Sequence, residues 1–289
     1  LVIFTGAGLS MASPSDLPSA ARIASEINER YRGMTGCSLN DKIQDSLEKI
    51  ADYFICSNRF TTDFIGSLVP WAMFQGEFNE GHEAIADFLG CKAINFALTT
   101  NFDFLIEQAA SWIGEEDFRA VVDEADIIPT SREYNILIKL HGCETRERVH
   151  TIWSKSQLEH IQGTKERLDR LLKWLIGNIN GCDIIILGFW TDWSYINDIL
   201  YESVNQFEPN SIILIDPTDQ VSLREKAPEL WEWVTSDNID FTHLQESAAD
   251  FLDDLRRIFS IWYIEKIIND SLETYRLLFK KDVDNKIIL

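Results

Sequence analysis

Apolar residues along this chain follow two rhythms. Short unbroken runs occur at Leu1–Phe4, Ala93–Leu98, Asn135–Leu140, Asp183–Leu187 and Ser211–Ile215. Runs of this length, rich in Val, Ile and Leu, describe strands buried on both faces. Between them apolar residues recur every three or four positions. From about Ala20 to Gly90 the pattern runs through Ile23, Ile27 and Tyr31, then Ile43, Leu47 and Ile50, then Phe64, Ile65 and Leu68, then His82, Ile85 and Leu89. Further helices are predicted over Phe104–Ala109, Glu166–Ile179, Tyr195–Tyr201 and about Ala248–Lys281. Strands alternating with helices predict an α/β fold: a Rossmann-like parallel sheet with helices on both faces. A helical subdomain, about residues 20–92, is expected as an insertion after the first strand. The main domain is expected over 1–247, with a C-terminal helical extension over 248–289. Asp282–Leu289 reads as a lone strand leading into a further region. The chain opens inside a strand without Met, so residues upstream are expected as well.

Composition narrows the functional classes. The chain has 289 residues, 45% of them hydrophobic, enough for a sizeable core. Its 47 acidic and 26 basic residues give a net charge of -21. Such a surface repels phosphate backbones, so direct nucleic-acid binding by this segment is not expected. No apolar run reaches the roughly 20 residues that cross a bilayer, and no leader pattern is visible, so a cytoplasmic protein is expected. Five cysteines (Cys37, Cys56, Cys91, Cys143, Cys182) are scattered without a C-x-x-C pair. Neither a zinc module nor a disulfide framework is indicated, and no metal is expected.

Chemistry gathers where the strands stop. The first run ends in Gly6-Ala7-Gly8-Leu9-Ser10, where glycine lets backbone come close to a ligand. Backbone amides at such a turn suit an anion. The G-x-G-x-x-G spacing is absent, since Met11 stands where the last glycine belongs, and ordinary turn chemistry explains the glycines equally well. The other runs stop at Thr99-Thr100-Asn101-Phe102-Asp103, His141-Gly142, Gly188-Phe189 and Asp216-Pro217. In open parallel sheets ligands bind beyond the carboxyl ends of the strands. Small or polar groups at all of these ends form a constellation more specific than any one of them.

The motifs at the first three ends, Gly6–Ser10, Thr99–Asp103 and Lys139–Gly142, resemble those of the sirtuin family in type and order. Two features depart from its protein-deacylating members. Their Gly-Ile-Pro-Asp-Phe-Arg stretch is replaced by Asp16-Leu17-Pro18-Ser19-Ala20-Ala21, and their four-cysteine zinc module is missing. The chain resembles instead the sirtuin-like NAD+ hydrolase domains of bacterial anti-phage defence: Thoeris effectors, HerA-associated proteins and proteins associated with short Argonautes. That resemblance implies NAD+ as substrate and an abortive-infection role. It also implies activation by assembly as a homo-oligomer or by a defence partner, a HerA-type ATPase or a short Argonaute.

It further assigns roles. His141 is the expected catalytic base, since imidazole titrates near neutrality; a structural strand-capping histidine is the alternative. Asn101 is the second expected catalytic residue, its carboxamide holding a ribose hydroxyl or a water; a plain turn asparagine is the alternative. Gly6, Ala7, Gly8 and Ser10 are expected around the diphosphate, with Thr100 also among the cofactor-binding residues. Asp103 is read either as a ligand to the nicotinamide ribose or as a helix cap. Gly188 is expected near the adenosine half. Asp216 is read as a ribose acceptor or as an Asp-Pro turn. Trp190, Asp192 and Trp193 follow Gly188 as an aromatic-acid loop suited to a site wall or to packing. His82, His150, His160 and His243 are expected on helix-like or loop segments with no special role. An NAD+ glycohydrolase leads this reading. A protein deacylase and a non-catalytic NAD+ or ADP-ribose scaffold remain as alternatives.

Overall fold

The computed structural model describes residues 1–126, 134–179, 181–191, 209–236 and 239–280. The expected helix at Tyr195–Tyr201, the expected strand at Asp282–Leu289, and Asp192 and Trp193 lie outside the described residues. Strands β1 (Val2–Thr5), β2 (Phe96–Thr99), β3 (Phe118–Val121), β4 (Asn135–Lys139), β5 (Asp183–Leu187), β6 (Ser211–Ile215) and β7 (Asp240–Leu244) form one sheet in the order β3-β4-β2-β1-β5-β6-β7. Every neighbouring pair is parallel. The chain winds outward from β1 in both directions, so the topological switch point falls between β1 and β5.

Helices among the described residues include α1 (Ala7–Ser10), α2 (Ala20–Thr35), α3 (Leu47–Cys56), α4 (Glu80–Gly90), α5 (Leu105–Trp112), α6 (Thr164–Ile179), α7 (Gln220–Lys226), α8 (Pro228–Val234) and α9 (Ala248–Phe279). Alternation along each strand sends side chains to opposite faces. Val2, Phe4, Phe96, Leu98, Ile184 and Ile186 meet α6, α7 and α8. Ile3, Ala97, Leu137, Ile185 and Leu187 meet α4, α5 and the first turns of α9. Both faces are thereby dry, which is why the central strands are apolar throughout.

The segment between β1 and β2 packs in two ways. Residues of α2, α3, the wide helical turn Phe60–Leu68 and Phe74 build their own core around Phe54 and Phe64, closed by Trp153 from beyond β4. Helix α4 lays Ala84, Ile85, Phe88 and Leu89 on the sheet instead.

Local structure departs from the sequence pattern at the sheet edges. β3 and β7 flank the sheet: β7 alternates exposed with half-buried residues and β3 buries only Val121, so neither shows an apolar run. β7 places His243 in a strand, correcting the expectation of a helix or loop there. The second strand is shorter than its apolar run, because Ala93 and Asn95 sit in the turn that follows α4. Among the described residues no helix is long and apolar enough to cross a membrane.

Candidate active site

β1, β2, β4 and β5 deliver the expected residues to one edge of the sheet. Thr99 pairs with Lys139 in parallel register, so Asn101 and His141 each stand two residues beyond a paired position on neighbouring strands. Gly142, at φ +86°, turns the chain away immediately after His141, and Ile152 returns to donate to the His141 carbonyl at 2.9 Å. The imidazole is buried, 5% exposed, with the Phe102 ring 6.2 Å away between centroids. Burial, helped by the positive charge of Arg167, pushes the His141 pKa down to about 3. The ring is therefore neutral at physiological pH. The Arg167 guanidinium responsible is itself buried and donates to the carbonyls of Val122, Leu140 and His150.

The glycine turn is shaped by contact between loops. Gly6 N–H donates to Leu187 O at 3.1 Å and Gly8 N–H to Gly188 O at 2.9 Å, bridging the switch point between β1 and β5. A Cβ on Gly6 would meet Gly188 O at 2.8 Å, and one on Gly8 would meet Gly188 Cα at 2.7 Å. These glycines first let two backbones touch, and two of the three cradle amides are committed to that contact. Ala7 and Gly8 nevertheless face solvent, and Thr100, Asn101, Phe102 and Gly188 are half-exposed. An accessible rim thus runs along the strand ends on either side of Asn101, which donates to Gly6 O.

Behind the rim is a closed polar network. Asn79 caps α4, and its N–H donates to His82 Nδ1 at 3.1 Å. That bond puts the His82 proton on Nε2, which donates to Ser10 Oγ at 3.0 Å. Asn101 Nδ2 donates to the same oxygen at 3.0 Å and to Gly6 O at 3.2 Å. The Ser10 hydroxyl donates to Asp103 Oδ2 at 2.8 Å, while Asp103 Oδ1 accepts from Leu105 N at 3.2 Å. Ser10 is saturated by these partners, so the hydroxyl expected at a diphosphate is occupied by protein groups instead. Both Asp103 oxygens are engaged, one by Ser10 and one by the N–H of the first residue of α5, while the N-cap position itself is Phe104. Asn101 has spent both amide protons, which leaves Oδ1, an acceptor, as its remaining polar atom.

Asp216 accepts from Thr218 N at 2.8 Å, the geometry of an Asp-Pro turn, and its carbonyl meets His243 Nε2 at 3.2 Å. Trp190 is buried, donating to Leu223 O at 2.8 Å and packing on Trp231. It is part of the core.

Several residues of the site were given no part by the sequence, and His82, expected to have no special role, is corrected by its bonds to Asn79 and Ser10. His82 is fully buried, and burial lowers its pKa to about 4, the Asp103 carboxylate opposing and the Lys139 charge adding to the shift. The Asn79-x-x-His82 spacing of a capping box was its signal. Lys139, 1% exposed, donates to Glu107 Oε1 at 2.8 Å and to the Asp103 carbonyl. Burial disfavours the ammonium, but the Glu107 and Asp103 carboxylates outweigh it and hold Lys139 charged. A lysine inside the run Ile136-Leu137-Ile138-Lys139-Leu140 was a sign of a buried partner. Glu144 lies three residues past His141, 2% exposed, and burial next to Asp103 raises its pKa to about 7. No pattern in the sequence marks it.

Among the described residues no group of three or more His, Cys, Asp or Glu side chains could hold a metal ion. A cavity of about 400 Å³ lined by Phe88, Cys91, Glu115, Arg256, Phe259 and Tyr263 lies beside the residues that lead into β2 and β3. It is therefore on the amino side of the sheet, away from the strand-end site.

Seven parallel strands wound about a glycine-bridged switch point, with a carboxamide and an imidazole at their carboxyl ends, define a doubly wound α/β protein with a strand-end site. The chain belongs to the SIR2-like domain family, whose model matches residues 95–240, half of its length. No curated protein matches the chain. Similar solved structures include a mutant Sir2 homologue in complex with ADP-ribose, at 17% identity and TM-score 0.46, covering 93% of this chain and 92% of that one. A Sir2 homologue in complex with NAD has 17% identity and TM-score 0.47, covering 89% and 87%. Sir2 in complex with an inhibitor, 2′-O-acetyl-ADP-ribose and a deacetylated p53 peptide has 15% identity and TM-score 0.48, covering 90% and 94%.

Proposed function

We propose that the chain is an NAD+ glycohydrolase that cleaves NAD+ to nicotinamide and ADP-ribose, using Asn101 and His141. The observation that carries this reading is the placement of those two residues at equivalent positions beyond β2 and β4, with Asn101 tied to the partly exposed glycine turn through Gly6 O. Membership of the SIR2-like family supports NAD+ as the substrate. Water attacks the ribose carbon as the carbon–nitrogen bond breaks, and the bonding pair returns to the pyridinium nitrogen. Nicotinamide then leaves neutral. Asn101 Oδ1, a fixed acceptor, orients a hydroxyl of the ribose or the attacking water. His141, neutral and shielded by Phe102, accepts a hydrogen bond from a ribose hydroxyl without adding positive charge beside the developing oxocarbenium ion.

The resemblance of the motifs at Gly6–Ser10, Thr99–Asp103 and Lys139–Gly142 to those of bacterial anti-phage NAD+ hydrolase domains extends the proposal to an effector of anti-phage immunity, held inactive until assembly or a partner triggers it. The 5% exposure of His141 supports a resting form, because substrate has to open a path to the ring. Binding sites for Ala7, Gly8, Thr100 and Gly188 along the dinucleotide belong to the same proposal.

The test measures nicotinamide release by purified protein over a range of concentrations, and cellular NAD+ after phage challenge. Wild type is expected to release nicotinamide and deplete NAD+. His141→Ala and Asn101→Ala are each expected to lose on the order of 100-fold or more in turnover. Turnover of an acylated peptide with matching NAD+ consumption would turn the reading to a deacylase. Tight ADP-ribose binding with no cleavage and no depletion in either assay would leave only a scaffold.

A further inference from the structure

Buried carboxyl groups satisfy their oxygens, because an unpaired one costs free energy comparable to a lost hydrogen bond. Glu144 breaks that rule: it is 2% exposed, and its Oε2 is buried with no hydrogen-bond partner among the described residues. Its backbone position is fixed from two sides. Glu144 N–H donates to Phe102 O at 2.9 Å, which places it against the Asn101-Phe102-Asp103 loop, and Arg148 Nε donates to Glu144 O at 2.5 Å. The charged groups around its side chain are Asp103 beyond β2, Glu107 on α5, Lys139 on β4 and Arg148 in the following turn. Lys139 already serves Glu107 and the Asp103 carbonyl, while Arg148 lies over the Trp71 ring. Both cations act on the carboxyl through space, yet among the described residues neither donates a hydrogen bond to its Oε2.

The chemistry proposed above also lacks a group suited to receiving a proton. Burial and Arg167 make His141 a weak base, whereas burial beside Asp103 brings Glu144 to about 7. Proton transfer is most efficient when the donor or acceptor titrates near the working pH.

We propose that Glu144 is the acid–base residue of the strand-end site, its carboxylate taking the proton from the water that attacks the ribose carbon. This rests on the nucleosidase reading. One water O–H bond breaks and its proton passes to Glu144. The new carbon–oxygen bond forms while the carbon–nitrogen bond opens, nicotinamide departs neutral, and Glu144 then returns the proton to solvent. His141 and Asn101 position the ribose, and Glu144 sets the pH response.

The experiment compares wild type with Glu144→Gln, which keeps shape and removes the titrating group, in two measurements. The first is calorimetric titration with ADP-ribose at pH 7 in buffers of different ionisation enthalpy. Wild type is expected to exchange protons with buffer on binding, and Glu144→Gln is expected to exchange none while keeping its affinity within about threefold. The second is nicotinamide release against pH. Wild-type turnover is expected to rise through pH 7, and the variant to lose that limb and on the order of 100-fold in kcat. Unchanged proton exchange, or an active variant with the wild-type pH profile, overturns the proposal. A wild type that cleaves no NAD+ overturns the nucleosidase reading and with it the proton-transfer step. In that case loss of proton exchange in the variant still identifies Glu144 as a ligand-facing group of the site.

Discussion

Gly8 donates its amide to the carbonyl of Gly188 at 2.9 Å, and a Cβ built on Gly188 would come within 2.6 Å of Leu9 N. Gly188 also sits at φ +62°, a left-handed conformation that other residues resist. Strain and overpacking therefore act together in Gly188→Ala, which is expected to lose about 3 kcal/mol or more. Gly33, inside α2 with open space where a Cβ would go, is the control. Gly33→Ala is expected to gain about 0.5–1 kcal/mol. Urea unfolding of both variants tests the contrast, and equal stabilities would refute the loop contact.

Ser10 accepts from His82 and Asn101 and donates to Asp103, joining residues that are up to 93 positions apart in sequence. Ser10→Ala leaves the buried His82 N–H without an acceptor and removes one of two from the half-exposed Asn101, and is expected to cost about 2 kcal/mol. The same change frees the Asn101 carboxamide to rotate. ADP-ribose affinity is expected to fall along with the melting temperature, and a variant as stable as wild type would argue against the network.

Two histidines and one carboxyl give opposite pH responses. His82 and His141 titrate near 4 and 3 when folded against an ordinary 6.5, so below 6.5 the unfolded chain binds protons that the folded chain refuses. Their contribution to stability is complete above pH 6.5 and is lost as pH falls towards the folded values. Glu144 titrates near 7 against an ordinary 4.5, so the folded chain holds a proton that the unfolded chain has released, and its contribution is lost as pH rises from 4.5 to 7. Between pH 5 and 6, His141→Gln is expected to lower the slope of stability against pH by about 1.4 kcal/mol per unit relative to wild type. Glu144→Gln is expected to raise it by about the same amount. Denaturant titrations at several pH values read both slopes, and shifts of the same sign would contradict these assignments.

Lys139 and Glu107 meet at 2.8 Å with side-chain exposures of 1% and 6%. Lys139→Met leaves Glu107 as a lone buried carboxyl and is expected to cost about 3–5 kcal/mol. Adding Glu107→Leu removes the orphaned charge, and most of that loss is expected to return. Additive losses in the double variant would mean that the two residues do not act as a pair.

The sequence carried a good part of the fold in particular residues. Ile184-Ile185-Ile186-Leu187 is apolar at every position because it is covered on both faces, and continuous burial writes itself directly into composition. β3 and β7 were silent for the opposite reason. Phe118–Val121 and Asp240–Leu244 have a neighbour on one side only, and of their residues only Val121 is fully buried, so no apolar run forms. The motif ends at Gly6–Ser10, Asn101 and His141 were visible because each follows an apolar run, but their bonding was not. A local pattern gave Asn101 a donor and an acceptor, and only contact with Ser10 and Gly6 spends the donor.

By itself the sequence determined where the central strands stop and which chemical groups stand there, since both depend on neighbours within a few residues. Tertiary structure alone decided which of those groups face each other and which remain for a ligand. His82 is spent on Ser10, Lys139 on Glu107 and Gly8 on Gly188, while Glu144 Oε2 has no partner among the described residues. The physical reason is that hydrogen bonding and desolvation depend on distance in space, and the order of strands in the sheet brings together residues that the chain keeps 72 or more positions apart at Ser10 and His82.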